Sequence, residues 1–299
     1  MIRTQGLSKS FGGLTAVDAV NLQVEAGEIF GLVGPDGAGK TTLMRMILGI
    51  VDPSAGSLTV MGNARIESIK KSIGYIPQKF SLYRDMSVME NIRLIGSLYG
   101  ASSGAIDERA REILSFTNLL PFADRLADNL SGGMKQKLAL AAGLMHKPQL
   151  FFLDEPTTGV DPVSRREFWQ MLYRLNKEGM TVFVSTPYMD EAELCSRVAF
   201  MHEGRIVSCA SPEQLRTDYP YKILELTIVG RQIKQALQEC DLIDINAFGD
   251  KYHLVVADPV QAQHSVRQAL KKAGFASFQL EPVAPTLEDV FVALAGEAA

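Results

Sequence analysis

Cysteine is scarce in this chain. Cys195, Cys209 and Cys240 are the only three, an odd number without CxxC spacing, so no disulfide framework or zinc ribbon is encoded. A reduced setting with buried structural thiols is the expectation. Long apolar runs are also missing: none approaches the roughly 20 residues that a spanning helix requires. The opening MIRTQGLSKSF has no apolar core of the kind a secretory signal carries. A soluble chain follows as an expectation. Positive charge is not in excess, since 30 Lys and Arg stand against 34 Asp and Glu, net −4. Nothing therefore indicates a nucleic acid held by bulk charge. No low-complexity segment stands out. What remains is globular material, 46% apolar and 21% charged over 299 residues, enough for one large or two moderate domains.

Residues 1 to about 30 alternate in the manner of strands, with turns at Gly12-Gly13 and at Glu25 to Glu28. Ile29 to Val33 reads as a short buried strand, Lys40 to about Leu48 as a helix, and Ser57 to Val60 as another strand. From about 82 to 145 the apolar spacing is helical, with Val88, Ile92, Ile95 and Tyr99 on one stripe. Leu150 to Leu153 is a fully apolar strand, Arg165 to Asn176 a helix and Val182 to Val184 a strand, with an acidic helix starting near Met189. Such alternation predicts an α/β fold with a mostly parallel sheet covered by helices. Near Ser211 to Tyr221 the organisation changes. Strands at 222–229, 243–248, 252–256 and 275–280 and helices at 232–238 and 262–273 suit a small split β-α-β fold. The expected domains are 1–215 and 221–299, the second an accessory α+β domain without a catalytic cluster.

Gly34-Pro35-Asp36-Gly37-Ala38-Gly39-Lys40-Thr41-Thr42 follows a strand and opens a helix, the context in which this pattern signifies a phosphate loop. Its glycines let successive N–H groups turn inward, Lys40 reaches the β- and γ-phosphates of ATP, and the Thr41 hydroxyl ligates Mg²⁺. The helix N-terminus adds partial positive charge. Further on, Leu150-Phe151-Phe152-Leu153-Asp154-Glu155 delivers two acids at a strand end. Asp154 is the expected Mg²⁺ partner, and Glu155 the group that polarises an attacking water.

Leu130-Ser131-Gly132-Gly133-Met134-Lys135-Gln136 brings in a specific resemblance. With the phosphate loop and paired acids, the chain resembles the ATP-binding subunits of ABC transporters, whose signature is LSGGxxQ. The resemblance implies a P-loop NTPase core with an N-terminal antiparallel β subdomain and a helical subdomain at about 82–145. It also implies that Ser131, Gly132 and Gly133 contact the γ-phosphate bound by a second ATP-binding subunit. Phe11 corresponds to an aromatic residue that stacks on adenine. Gln78, in Gly74-Tyr75-Ile76-Pro77-Gln78, corresponds to a glutamine that contacts Mg²⁺ and the attacking water. Asp161, in Thr158-Gly159-Val160-Asp161, matches a loop crossing the dimer interface. The tail sequence Pro285-Thr286-Leu287-Glu288-Asp289 resembles the usual ending of the small domain on many exporter-type subunits, and the loop Gly34 to Gly39 with Arg165-Arg166-Glu167 resembles the multidrug-export branch of the ABC-2 type. Partners implied are a membrane permease, received on Lys79 to Gly100, and a second ATP-binding subunit, placing the chain on the inner face of the cell membrane. A soluble ABC protein acting on nucleic acid or ribosomes is disfavoured by the acidic balance. It would also need a long coiled-coil insertion or a second ATPase half.

One position departs from the family. After Val182-Phe183-Val184-Ser185-Thr186, where members usually carry a histidine that contacts the γ-phosphate, stands Pro187. Proline has no side-chain donor and no N–H. The expectation is a site that binds MgATP and turns it over slowly, paired with a histidine-bearing subunit in a heterodimer. The alternatives are a homodimer that tolerates the loss and a regulatory nucleotide-binding subunit.

Overall fold

The structure, a computed structural model, describes residues 1–100, 102–229, 233–275 and 277–297. The chain divides into two compact units, Met1–Ala210 and Ser211–Ala299.

In the first unit the strands are β1 (Ile2–Phe11), β2 (Leu14–Val24), β3 (Ile29–Val33), β4 (Ala55–Val60), β5 (Ile73–Ile76), β6 (Leu150–Asp154), β7 (Thr181–Thr186), β8 (Arg197–His202) and β9 (Arg205–Ala210). Its helices are α1 (Lys40–Ile47), α2 (Val88–Leu98), α3 (Ser103–Phe116), α4 (Gly132–Gly143), α5 (Pro162–Lys177) and α6 (Met189–Ala192). Two sheets form among the described residues. One is antiparallel, in the order β2-β1-β4, and the other runs β5-β6-β7-β3-β8-β9. Pairing in the second is parallel from β5 to β8, with β9 antiparallel at the edge.

The parallel strands are apolar on both faces because both faces are covered. Phe30, Phe151, Phe152, Phe183 and Phe200 are fully buried. Phe183 stands between Phe30 and Phe152, ring centroids 5.4 and 5.3 Å away, a spacing typical of favourable aromatic pairs. In register, Leu153 faces Val184, and Leu32 faces Ser185. The loops that leave β3, β5, β6 and β7 therefore emerge at one end of the sheet, the carboxyl end, where open α/β sheets hold their ligands.

The second unit contains α7 (Pro212–Thr217), β10 (Lys222–Thr227), α8 (Ile233–Ala236), β11 (Asp244–Phe248), β12 (Lys251–Val256), α9 (Pro259–Lys272), β13 (Gln279–Val283) and α10 (Leu287–Glu297). Its sheet order is β11-β12-β10-β13, all antiparallel. Leu224, Leu254, Val266 and Leu270 are buried at its core.

Several expectations need correction. The acidic helix after β7 is a single turn, Met189–Ala192. The segment from Lys79 becomes helical only at Val88, after the Ser87 cap. The last strand expected at 275–280 lies at Gln279–Val283. Gln232 and Ala276, within two expected elements, lie outside the described residues. Of the three thiols only Cys195 is buried, while Cys209 is exposed; burial pushes the Cys195 thiol well up.

Candidate functional site

The phosphate loop turns directly off β3 into α1. Gly34 N–H donates to the Thr186 carbonyl at 3.3 Å, which fixes the start of the loop beside the end of β7. Gly39, the residue before α1, has φ 102°, a left-handed value that strains any residue with a Cβ. A Cβ there would also lie 2.3 Å from the Ala16 carbonyl oxygen of β2. The loop arcs around the Lys40 ammonium, which donates to the Gly34 and Pro35 carbonyls at 2.8 and 3.0 Å.

Lys40 also pairs with Glu155 at 3.2 Å, and both side chains are nearly inaccessible to solvent. An ion pair this deep is held against the cost of dehydrating both charges only because its other hydrogen bonds are made. Gln78, just past β5, donates from Nε2 to Glu155 Oε2 at 2.9 Å. Asp154 Oδ1 accepts from the Thr41 hydroxyl at 3.1 Å and from the Ser185 hydroxyl at 2.6 Å. Asp154 Oδ2 is buried and, among the described residues, has no hydrogen-bond partner. A carboxylate oxygen left over beside a threonine hydroxyl is a hard-oxygen donor set, which fits Mg²⁺.

Glu155 has φ 48°, sparsely populated for a residue with a side chain. Its N–H donates to both the carbonyl and the hydroxyl of Ser185, each at 3.1 Å. The strained turn is thus pinned to the end of β7, and it presents the carboxylate to Lys40 and Gln78. Strand pairing places Asp154 opposite Ser185, so the register of β6 and β7 sets this arrangement.

The expected site residues fall into three places. Lys40, Thr41, Gln78, Asp154 and Glu155 form one contact cluster. Ser131, Gly132 and Gly133 lie elsewhere, at the start of α4. Ser131 Oγ accepts from Met134 N–H at 3.3 Å, an ordinary N-cap. A Cβ on Gly133 would come within 2.5 Å of Ser164, so the signature packs against the first turn of α5. That turn is capped by Asp161, whose Oδ1 accepts from Ser164 N–H at 2.9 Å. This bond holds the Asp161 carboxyl below the usual carboxylate range. Phe11 ends β1 and is half exposed, with the Lys9 ammonium 5.2 Å from its ring centroid. Ser185, Thr186 and Thr157 were not singled out from sequence. Their weak signal is a run of buried hydroxyl residues where two apolar strands end.

Among the described residues, no helix is long and apolar enough to cross a membrane. A family model described as ABC transporter matches residues 17–158. The chain is 40% identical, over all of its length, to the "Probable multidrug ABC transporter ATP-binding protein YbhF" of Escherichia coli (strain K12). It spans 52% of that relative, so it corresponds to about half of the longer protein. It is 38% identical to the "Nod factor export ATP-binding protein I" of Rhizobium sp. (strain N33), with 97% of this chain and 95% of that one covered. Among solved structures, the ATP-binding cassette MJ0796, a dimer in a post-hydrolysis state bound to ADP and Pi, superposes with TM-score 0.65. The two are 26% identical, over 71% of this chain and 98% of that one. Identity of this extent, over nearly the whole of a relative of similar length, shows that the chain belongs to the ATP-binding proteins of ABC transporters and carries their ATPase domain.

Proposed function

We propose that this chain hydrolyses ATP to power a membrane exporter, acting through ATP-driven closure of a dimer on a separate permease at the cytoplasmic face. The observation that carries the reading is the contact cluster of Lys40, Glu155, Gln78, Asp154 and Thr41 at the carboxyl end of the sheet, in which Lys40, Asp154 and Glu155 are buried. Export is supported by the names of the two relatives, one a multidrug transporter protein and the other a Nod factor exporter protein. Neither name assigns a substrate to this chain.

The loop Gly34–Thr42 would hold the phosphates of ATP, and Phe11 the adenine. Thr41, Asp154 and Gln78 would hold Mg²⁺, which supplies charge neutralisation at the β- and γ-phosphates. Lys40 exchanges its contact with Glu155 for the γ-phosphate. Glu155, released from the ammonium and steered by Gln78, then orients a water and accepts its proton. The intact pair favours turnover over a purely regulatory nucleotide site.

Ser131, Gly132 and Gly133 would meet the γ-phosphate of a second ATP-binding subunit. Because Pro187 ends β7 without a donor, we propose that turnover at this chain's own phosphate site is slow. A histidine-bearing partner in a heterodimer suits that site better than a second copy does. The permease would seat on Lys79–Gly100, where Tyr83 and Leu98 are exposed and Phe80, Met86 and Met89 are half-buried. Aromatic and methionine side chains are favoured at such surfaces.

The test is nucleotide binding and turnover by the purified chain, alone and with its co-purifying membrane partner. Specific MgATP binding that Lys40→Ala abolishes, with turnover that rises on adding the partner, is the expected result. A chain that binds no nucleotide overturns the reading.

A further inference from the structure

Among the described residues the mechanism above leaves two buried carboxylates unused, Asp289 in the second unit and Glu191 in the first. Glu191 is 1% exposed and sits in the single turn that follows β7. Its Oε1 accepts from the Thr157 hydroxyl, its Oε2 accepts from the Thr186 hydroxyl at 2.6 Å, and the Arg165 guanidinium lies 3.5 Å away. Three separate segments thus converge on one side chain. Thr157 stands two residues beyond Glu155, Thr186 immediately precedes Pro187, and Arg165 lies in the first turn of α5, which Asp161 caps. Its two carboxyl oxygens serve the two hydroxyls separately, and the side chain faces the guanidinium as well.

The contacts on either side extend the connection. The Thr186 hydroxyl, while donating to Glu191, accepts from Tyr188 N–H at 3.1 Å, which closes the turn around Pro187. The Tyr188 ring carries the Arg165 guanidinium 4.6 Å from its centroid, and Arg165 also reaches Asp190 at 3.3 Å. Glu155 needs outside support for its left-handed backbone, and β7 supplies part of it through Ser185. Behind Glu155, Thr158 N–H donates to the Glu155 carbonyl at 3.3 Å, and the Thr157 side chain is tied to Glu191.

We infer that Glu191 is a positioning residue for hydrolysis: its carboxylate holds the turn behind Glu155 and the turn around Pro187 in one geometry. Through Arg165 it ties both turns to the helix whose cap faces the signature segment. The turnover consequence depends on the ATPase reading above; the clamp itself does not.

Glu191→Gln and Glu191→Ala in the full chain test it, alongside Thr157→Val and Thr186→Val. Misplacing a reacting group by about 1 Å can cost roughly a hundredfold in rate. We expect Glu191→Gln to lower kcat roughly tenfold to a hundredfold in single-turnover assays with radiolabelled ATP, with the Kd for MgATP within about threefold of the parent. The threonine variants should lower kcat in the same way, and their losses should not add to that of Glu191→Gln, as for residues acting as a unit. Amide hydrogen exchange of 155–158 and 185–188 should accelerate in Glu191→Ala, while β3 and β6 stay protected. A folded Glu191→Gln chain with kcat within about threefold of the parent overturns the proposal. So does a loss of affinity that only follows a loss of thermal stability. If the unmodified chain shows no turnover either alone or with its co-purifying partner, the ATPase reading fails and exchange decides the clamp. Local acceleration then supports it, and unchanged exchange overturns it.

Discussion

At position 187 the chain ends a catalytic strand with a residue that has nothing to donate. Gly34 N–H is bonded to the Thr186 carbonyl, so Pro187 stands next to the phosphate loop. A single transition-state donor is worth about a hundredfold to a thousandfold in rate. Pro187→His should therefore raise turnover of the purified chain by about a hundredfold, with MgATP affinity unchanged within about threefold; unchanged turnover would remove the missing-donor account. Glu155→Gln should act in the opposite sense. It removes the ion pair with Lys40 and the proposed general base together, lowering kcat by roughly a hundredfold or more while ATP still binds, as equilibrium binding beside single-turnover kinetics would show. The residues behind these two predictions were legible in the sequence because each sits in a short local motif. Ser185, Thr186 and Glu191 were not. Their roles come from the register that sets Asp154 opposite Ser185, and no local spacing encodes a register.

At the scale of elements, α2 shows how a local sequence fixes a boundary. Ser87 accepts from Glu90 N–H at 3.2 Å, and Glu90 accepts from Ser87 N–H at 2.7 Å, a complete capping box. Ser87→Ala should cost about 1 kcal/mol, read as a lower urea midpoint. The bond from Ser87 N–H holds the Glu90 carboxyl below its ordinary range. Its folded pKa is lower than its unfolded one, so the stabilisation is present above the unfolded value, about 4.3, and is lost as pH falls through the folded value. The difference in urea midpoint between the parent and Glu90→Gln should accordingly shrink on acidification through that range. The long α5 was readable from its period, and the short β6 from an unbroken apolar run that ends in two acids. The helix after β7 starts at Met189, where the sequence puts it, but its acidic residues do not all face solvent, as such a run suggests. Glu191 is in fact buried, and the turn ends at Ala192. The short β5, only Ile73–Ile76, and α10 were not recognised as elements, since four apolar residues and a Pro-led tail carry little periodicity.

For the whole molecule, the distribution of the site matters more than any one contact. The Lys40 cluster has one set of partners, whereas Ser131 caps α4 and Gly133 packs against Ser164, which Asp161 holds. On the proposed function, a chain that held the phosphates with one set and offered the other at a capped helix start would share its nucleotide with another subunit. Glu155→Gln, which keeps ATP bound, should make that sharing visible. If a second copy serves, the variant should sediment as a dimer only with MgATP. If a histidine-bearing partner is required, it should stay monomeric until that partner is added. Adding Ser131→Arg should abolish association in either case, because a long cation replaces the hydroxyl that caps α4 and meets the opposing phosphate. Nucleotide binding to the monomer should persist, since Ser131 makes no contact with the Lys40 cluster among the described residues. Loss of both association and binding would mean that the signature supports its own site, and the shared-site geometry would fail. Analytical ultracentrifugation with a fluorescent ATP analogue reads both quantities in one experiment.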